Sequence, residues 1–199
     1  YALAHYNLGY IAFHQKDYTQ AQNWFRKYIS LEKGENKTAL ADAYNRIGDC
    51  YLDVRNFDEA KHYYSQAEAM NTPSGDYSFY QLALVSGLQK DYSGKITLLN
   101  RLAGKYPASP YAISALYEKG RSYVLMDNNQ QAIASFKELL AKYPESPVSR
   151  KAAAEIGLLY YQNEDYDQAI NAYKQVVQKY PGSDEARLAM RDLKSIYVD

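Results

Sequence analysis

Residues able to do covalent or metal chemistry are few and poorly spaced. His5, His14 and His62 form no close metal-binding pattern, and no His-Glu-x-x-His occurs. Cys50, between Asp49 and Tyr51, reads as a small packed thiol rather than a nucleophile. Asp49 and Asp53 stand one helical turn apart, as a general acid–base pair might, but with Asp42 and Asn45 nearby they read as a solvated face. No glycine-rich phosphate loop is present. The expectation is a chain with no catalytic residues, no metal and no cofactor.

What stands out instead is tyrosine, 23 residues in 199, whose rigid apolar ring and single polar tip suit recognition of another chain. Charge points the same way. The 23 basic and 23 acidic groups cancel, which argues against nucleic acid and against a basic membrane-surface module. One cysteine allows no internal disulfide framework. No apolar run approaches the ~20 residues of a membrane-spanning helix. Because the sequence begins at Tyr1 inside an apolar-periodic segment, it is expected to be a piece of a longer protein.

The elements that must carry these tyrosines repeat. Leu8-Gly9, Ile47-Gly48, Leu82-Ala83, Lys119-Gly120 and Ile156-Gly157 align, with steps of 39, 35, 37 and 37 between the small residues. Further along each segment come Ala21, Ala60, Lys95, Ala132 and Ala169, then Phe25, Tyr64, Leu99, Phe136 and Tyr173. A period of this size marks a helical solenoid. Each unit reads as two helices joined by a polar turn. Asp17, Asn56, Asp91, Asn128 and Asp165 are placed to cap the second helix. Ser109-Pro110, Ser146-Pro147 and Ser183 are placed to start the first helices that follow them. Gly9, Gly48, Gly120 and Gly157 cost about 1 kcal/mol each inside a helix, so a close helix crossing is expected there, with the alanines as the matching small surface. Offsets −1 and +3 from the small residue are expected to face the core. Lys95 breaks the pattern; it must snorkel or hold its helices apart, and residues 72–95 are expected to be the least protected seam.

At these residues the chain resembles the tetratricopeptide repeat (TPR) superfamily. The resemblance implies an all-α, right-handed superhelical solenoid of five helix-turn-helix units, at about 1–36, 37–73, 74–108, 109–145 and 146–182. A terminal helix at 183–197 completes a single domain over 1–199. The endings Tyr106-Pro107-Ala108-Ser109, Tyr143-Pro144-Glu145-Ser146 and Tyr180-Pro181-Gly182-Ser183 further resemble bacterial cell-envelope TPR proteins of the Tol-Pal coordinator and outer-membrane-assembly lipoprotein types. That implies a periplasmic or outer-membrane-associated setting.

In the family it resembles, offsets −3, +1 and +4 on each first helix line the concave groove and meet ligands. Here that stripe is Tyr6, Tyr10 and Phe13; Asn45, Asp49 and Leu52; Tyr80, Leu84 and Gly87; Tyr117, Arg121 and Val124; Ala154, Leu158 and Tyr161, with Tyr77 one turn before Tyr80. The implied role is a protein-interaction scaffold that binds an extended peptide or a partner helix, with Arg121 as the cation to meet a carboxylate or stack on an aromatic. Tyr6 and Tyr10 stand where some relatives begin a Lys/Asn carboxylate clamp, so a clamp is not expected. Three other readings stay open. The tyrosine stripe is packing across a narrow superhelix, the chain is a spacer that works through its ends, or it is an enzyme or a regulatory domain attached to one.

Overall fold

In the computed structural model, which describes residues 1–198, every regular element is a helix. The chain runs α1 (Ala2–His14), α2 (Tyr18–Leu31), α3 (Lys37–Asp53), α4 (Phe57–Ala69), α5 (Gly75–Leu88) and α6 (Tyr92–Lys105). It continues through α7 (Ala112–Leu125), α8 (Asn129–Lys142), α9 (Pro147–Gln162), α10 (Tyr166–Lys179) and α11 (Asp184–Val198). This is the all-α solenoid class: five two-helix hairpins and a last helix among the described residues. The chain divides into two compact units, Tyr1–Ser109 with α1–α6 and Pro110–Asp199 with α7–α11. Asp199, the final residue assigned to the domain above, lies outside the described residues.

The hairpin turns explain where the second helices begin. Asp17, Asn56, Asp91, Asn128 and Asp165 each accept a hydrogen bond from the backbone N–H three residues on, at 2.9–3.4 Å. Each such cap contributes about 1 kcal/mol. The residue before each cap, Lys16, Arg55, Lys90, Asp127 or Glu164, has φ between 55° and 63°. None is glycine, so the left-handed step left no mark in the sequence. Ser146 and Ser183 cap α9 and α11 as expected. Ser109 does not cap: α7 starts at Ala112, and the Ser109 hydroxyl donates instead to Asp76 at 2.7 Å.

The helical glycines make room for a ring rather than for the alanines. A Cβ built on Gly9, Gly48 or Gly157 would sit 2.6–2.7 Å from the ring of Phe25, Tyr64 or Tyr173, and Gly120 meets Phe136 in the same way. Leu99, slimmer than a ring, lets Ala83 stand in the third repeat. There Lys95 is buried, 7 % exposed, and does not hold the helices apart. Its stem lies against Gly87, where a Cβ would come within 2.9 Å of Lys95 Cδ. The small residue has moved from α6 to α5.

In the first unit, α1, α3 and α5 form one layer and α2, α4 and α6 the other. Phe25, Tyr28, Ile47 and Cys50 sit in one shared cluster, and Tyr64 and Val85 in the next. Burial pushes the Cys50 thiol up to about 12, and the buried His5 packs against Tyr1 and Trp24. In the second unit, α7, α9 and α11 line up against α8 and α10, with Phe136, Leu139, Leu159, Tyr173 and Val176 buried. One core assignment is corrected. Leu8 is 38 % exposed, because the face that α2 covers on α3 has no helix against it on α1. In α11, Ile196 is half-buried and Tyr197 exposed; the Val198 side chain lies outside the described residues.

Candidate functional site

The stripe predicted to meet ligands is built differently in the two units. In the first, α1, α3 and α5 bring Tyr6, Tyr10, Asn45, Asp49 and Tyr77 together, and the residues bind one another. Tyr6 donates to Asp42 Oδ2 at 2.7 Å, and Tyr10 donates to the same oxygen. Asp49 Oδ1 accepts from the hydroxyls of Tyr64 and Tyr77, both at 2.7 Å. Arg46 pairs with Asp49 and lies 3.5 Å from Asp42, with its guanidinium 4.9 Å from the Tyr77 ring centre and 5.8 Å from that of Phe13. Asn45, 4 % exposed, accepts from Ser78 at 2.9 Å.

The solvated acidic face read from the sequence is therefore corrected. Asp42 and Asp49 are anchors of a polar network, fixed by phenols and a guanidinium. Burial raises the Asp49 carboxyl, opposed by Arg46 and the two hydroxyls. Burial, then Asp42, pushes Tyr10 up to about 12 and raises Tyr6; Tyr64 and Tyr77 rise through burial and Asp49. Tyr6, Tyr10, Asp42, Arg46 and Tyr77 line a cleft of about 450 Å³, together with Thr38. Arg46 Nε is buried without a hydrogen bond, but it remains in ionic contact with Asp42. Tyr80, half-buried on α5, lies on the same stripe.

In the second unit, Arg121 does meet a carboxylate, but one from its own chain: Glu155 Oε1 at 3.1 Å and Oε2 at 3.4 Å. Tyr117 donates weakly to Glu155 Oε1 at 3.4 Å, and its ring stands 5.7 Å from Phe136. Tyr161 is exposed and packs edge-on against Tyr166. Beyond Glu155 the face opens into a cleft of about 370 Å³, lined by Ala154 and Leu158 from α9, Tyr173 from α10, and Leu188 and Ala189 from α11. Leu158 is 40 % exposed, and Leu188 is exposed as well. The rim carries both signs of charge, Lys151 and Arg191 with Glu185 and Asp192.

Sequence reading missed Asp42, Arg46, Glu155, Tyr173 and Leu188. The spacing Asp42-x-x-x-Arg46-x-x-Asp49 was a legible signal of an ion-paired helix face. Tyr173 carried none, because its position in the repeat marks it as core. Among the described residues no group of three or more His, Cys, Asp or Glu is arranged for a metal ion. Nor is any described helix long and apolar enough to cross a membrane.

Stacked two-helix hairpins, whose first helices within each unit share one lined face, define a helical repeat protein of the kind that engages other polypeptides. The chain belongs to the tetratricopeptide repeat family, which matches residues 1–72 in one form and residues 45–110 and 117–189 in another. Proteins of this family are protein-interaction scaffolds.

Solved structures share the fold at low identity. YrrB, described as a TPR protein with an unusual peptide-binding site, is 18 % identical with a TM-score of 0.68, over 96 % of this chain and 92 % of that one. MamA from Desulfovibrio magneticus is 15 % identical with a TM-score of 0.70, over 92 % and 97 %. A tetratricopeptide repeat protein from Parabacteroides merdae is 16 % identical with a TM-score of 0.75, over 99 % and 73 %. In sequence, the ycf37 protein of Guillardia theta is 40 % identical over 62 residues, 31 % of this chain and 35 % of that protein. The match thus spans about a third of that relative's length. None of these is a Tol-Pal coordinator or an assembly lipoprotein, so that subtype rests on the Tyr-Pro-x-Ser endings alone.

Proposed function

We propose that the chain is a non-catalytic scaffold that holds an extended peptide segment of another protein on the face of α7, α9 and α11. One observation carries this reading. The cleft there has an apolar floor with Leu158 and Leu188 exposed, whereas the corresponding face of the first unit has bonded its polar groups to one another. Two or three apolar anchors, each contributing about 1.5–3 kcal/mol on burial, suffice for such an interaction. The cell-envelope setting remains part of the proposal, supported by the three Tyr-Pro-x-Ser endings; fractionation of the native gene product tests it. For the cleft, peptides selected from a random dodecapeptide library on the full chain provide the probe. Leu188→Asp is expected to abolish their binding while leaving helicity intact. Binding unaffected by that change would overturn the assignment.

A second reading, a spacer that works through its ends, is favoured by the uncovered apolar face of α1, where Leu3, Leu8 and Ile11 are exposed. It predicts that Ile11→Asp disrupts an assembly containing the full-length protein and that Leu188→Asp does not.

A further inference from the structure

The groove between α2 and α4, in the layer away from the first-helix stripe, holds a cation that the chain does not neutralise. Arg26 Nε donates to the Tyr63 hydroxyl at 3.2 Å, and Arg26 Nη2 donates to the Tyr51 hydroxyl at 2.6 Å. The guanidinium carbon stands 5.8 Å from the centre of each ring, and the two rings stack on one another at 5.5 Å. Both partners are neutral. Among the described residues no carboxylate is ion-paired with Arg26, whereas Arg46, Arg121 and Lys142 each pair with one.

The repeat does not require a cation at this place. Ser65 and Asn100 stand at the equivalent position, five residues after Ala60 and Lys95. Lys137, also equivalent, donates to one hydroxyl only, that of Tyr160 at 2.9 Å, and has no planar fork. Holding a guanidinium with two phenols orders it without cancelling its charge. Two of its nitrogens are engaged, and the half-buried side chain keeps further N–H donors. Beside it opens a cleft of about 320 Å³, with Ile29 and Tyr44 on its walls and the exposed His62 and Gln66 at its rim. No carboxylate lines this cleft.

Charge and shape identify the occupant. One ordered guanidinium is balanced by one carboxylate, and its fork matches two carboxylate oxygens. A phosphate monoester, with up to two negative charges, would be only half compensated. Ile29 and Tyr44 offer apolar area to a residue beside the acid. We propose that Arg26, held by Tyr51 and Tyr63, reads a Glu or Asp side chain in an acidic–apolar segment of a partner protein lying between α2 and α4. This site is separate from the cleft of α9 and α11 and does not depend on it.

The test uses a dodecapeptide library with one fixed central Glu and random flanks. Selection is on the full chain carrying Leu188→Asp, so that the other cleft contributes nothing. A selected peptide, fluorescein-labelled, is then followed by anisotropy on the unchanged full chain. Replacing its Glu by Gln is expected to weaken binding at least about tenfold, and Arg26→Gln is expected to do the same. On the Arg26→Gln chain the Glu and Gln peptides are expected to bind within about twofold of each other, because the pair that tells them apart is gone. Lys137→Gln is expected to leave affinity within about twofold. The inference is overturned if Arg26→Gln leaves binding within about twofold, if the preference for Glu persists in that variant, if Lys137→Gln weakens binding as much, or if the library yields no peptide. Arg26-dependent sedimentation with phosphatidylserine vesicles, with no peptide recovered, would assign the groove to a membrane and overturn it too. Failure of the peptide reading for the α9 and α11 cleft leaves all of these outcomes unchanged.

Discussion

Asp49 and Leu158 occupy the same place in the repeat, one residue after the packing glycine, and they face opposite fates. In the first unit Asp49 gathers Arg46, Tyr64 and Tyr77 into a network that ties α3 to α4 and α5. In the second unit Leu158 stands exposed at the edge of an apolar cleft, and the Tyr173 ring packs against Gly157 beside it. The difference teaches that the repeat fixes where a side chain sits but not which way its chemistry is spent. A tyrosine becomes an internal strut where a carboxylate neighbour accepts from it, as Asp49 accepts from Tyr64 and Tyr77.

The largest expected effect comes from removing the acceptor. Asp49→Ala strands two phenols and a guanidinium in a mostly buried setting and should cost about 3–5 kcal/mol. Leu158→Ala should cost under about 1 kcal/mol, because its side chain is partly exposed. Urea unfolding of the full chain followed by helical circular dichroism reads both positions; equal costs at the two would erase the contrast. Alkali should act on the same network. Tyr6, Tyr10, Tyr64 and Tyr77 are raised above the ordinary tyrosine value of 10.0. Their contribution is therefore complete below the unfolded pKa and is lost as pH climbs toward the folded values. Stability should fall as pH rises from about 10 toward 12, and a flat profile would contradict the network.

Tyr64→Phe should follow, at about 1.5–3 kcal/mol for a hydrogen bond to a charged acceptor. Hydrogen exchange tests the third repeat, where Lys95 replaces the small residue and the buried Thr72 hydroxyl has no partner. Residues 72–95 should exchange about tenfold faster than the helices α3 and α4 beside them, and slower exchange there would refute the seam. The smallest effect is expected from Tyr173→Phe, a loss of up to about 1 kcal/mol, since its hydroxyl lies near Asp192. A loss as large as that of Tyr64→Phe would show that Asp192 holds the Tyr173 hydroxyl as firmly as Asp49 holds that of Tyr64.

The fold was legible because its signals are local and repeated. Five Asp or Asn caps and five small-residue positions fix the hairpins before any tertiary contact is considered. The errors have tertiary causes. Leu8 matches Ile47 in sequence but lacks the helix that covers Ile47. Ser109 has the residue type of a cap, yet Asp76, distant in sequence, takes its hydroxyl. Lys95 is accommodated by Gly87, a residue the repeat pattern assigns elsewhere. At the candidate site, periodicity located the stripe, but the partners of Tyr6, Tyr10 and Arg121 are 32–36 residues away, one repeat along. Spacing within a single helix does not reveal whether such a partner is present.

The central claim, that the face of α9 and α11 is the working surface and the tyrosine network of the first unit is not, is tested most directly by photo-crosslinking in cells. Benzoylphenylalanine at position 158 and at position 38, each beside its own unit's cleft, gives the paired comparison. A dominant protein adduct from position 158, abolished by Leu188→Asp and absent from position 38, is the predicted result. An adduct from position 38 alone, or from neither position, would contradict it.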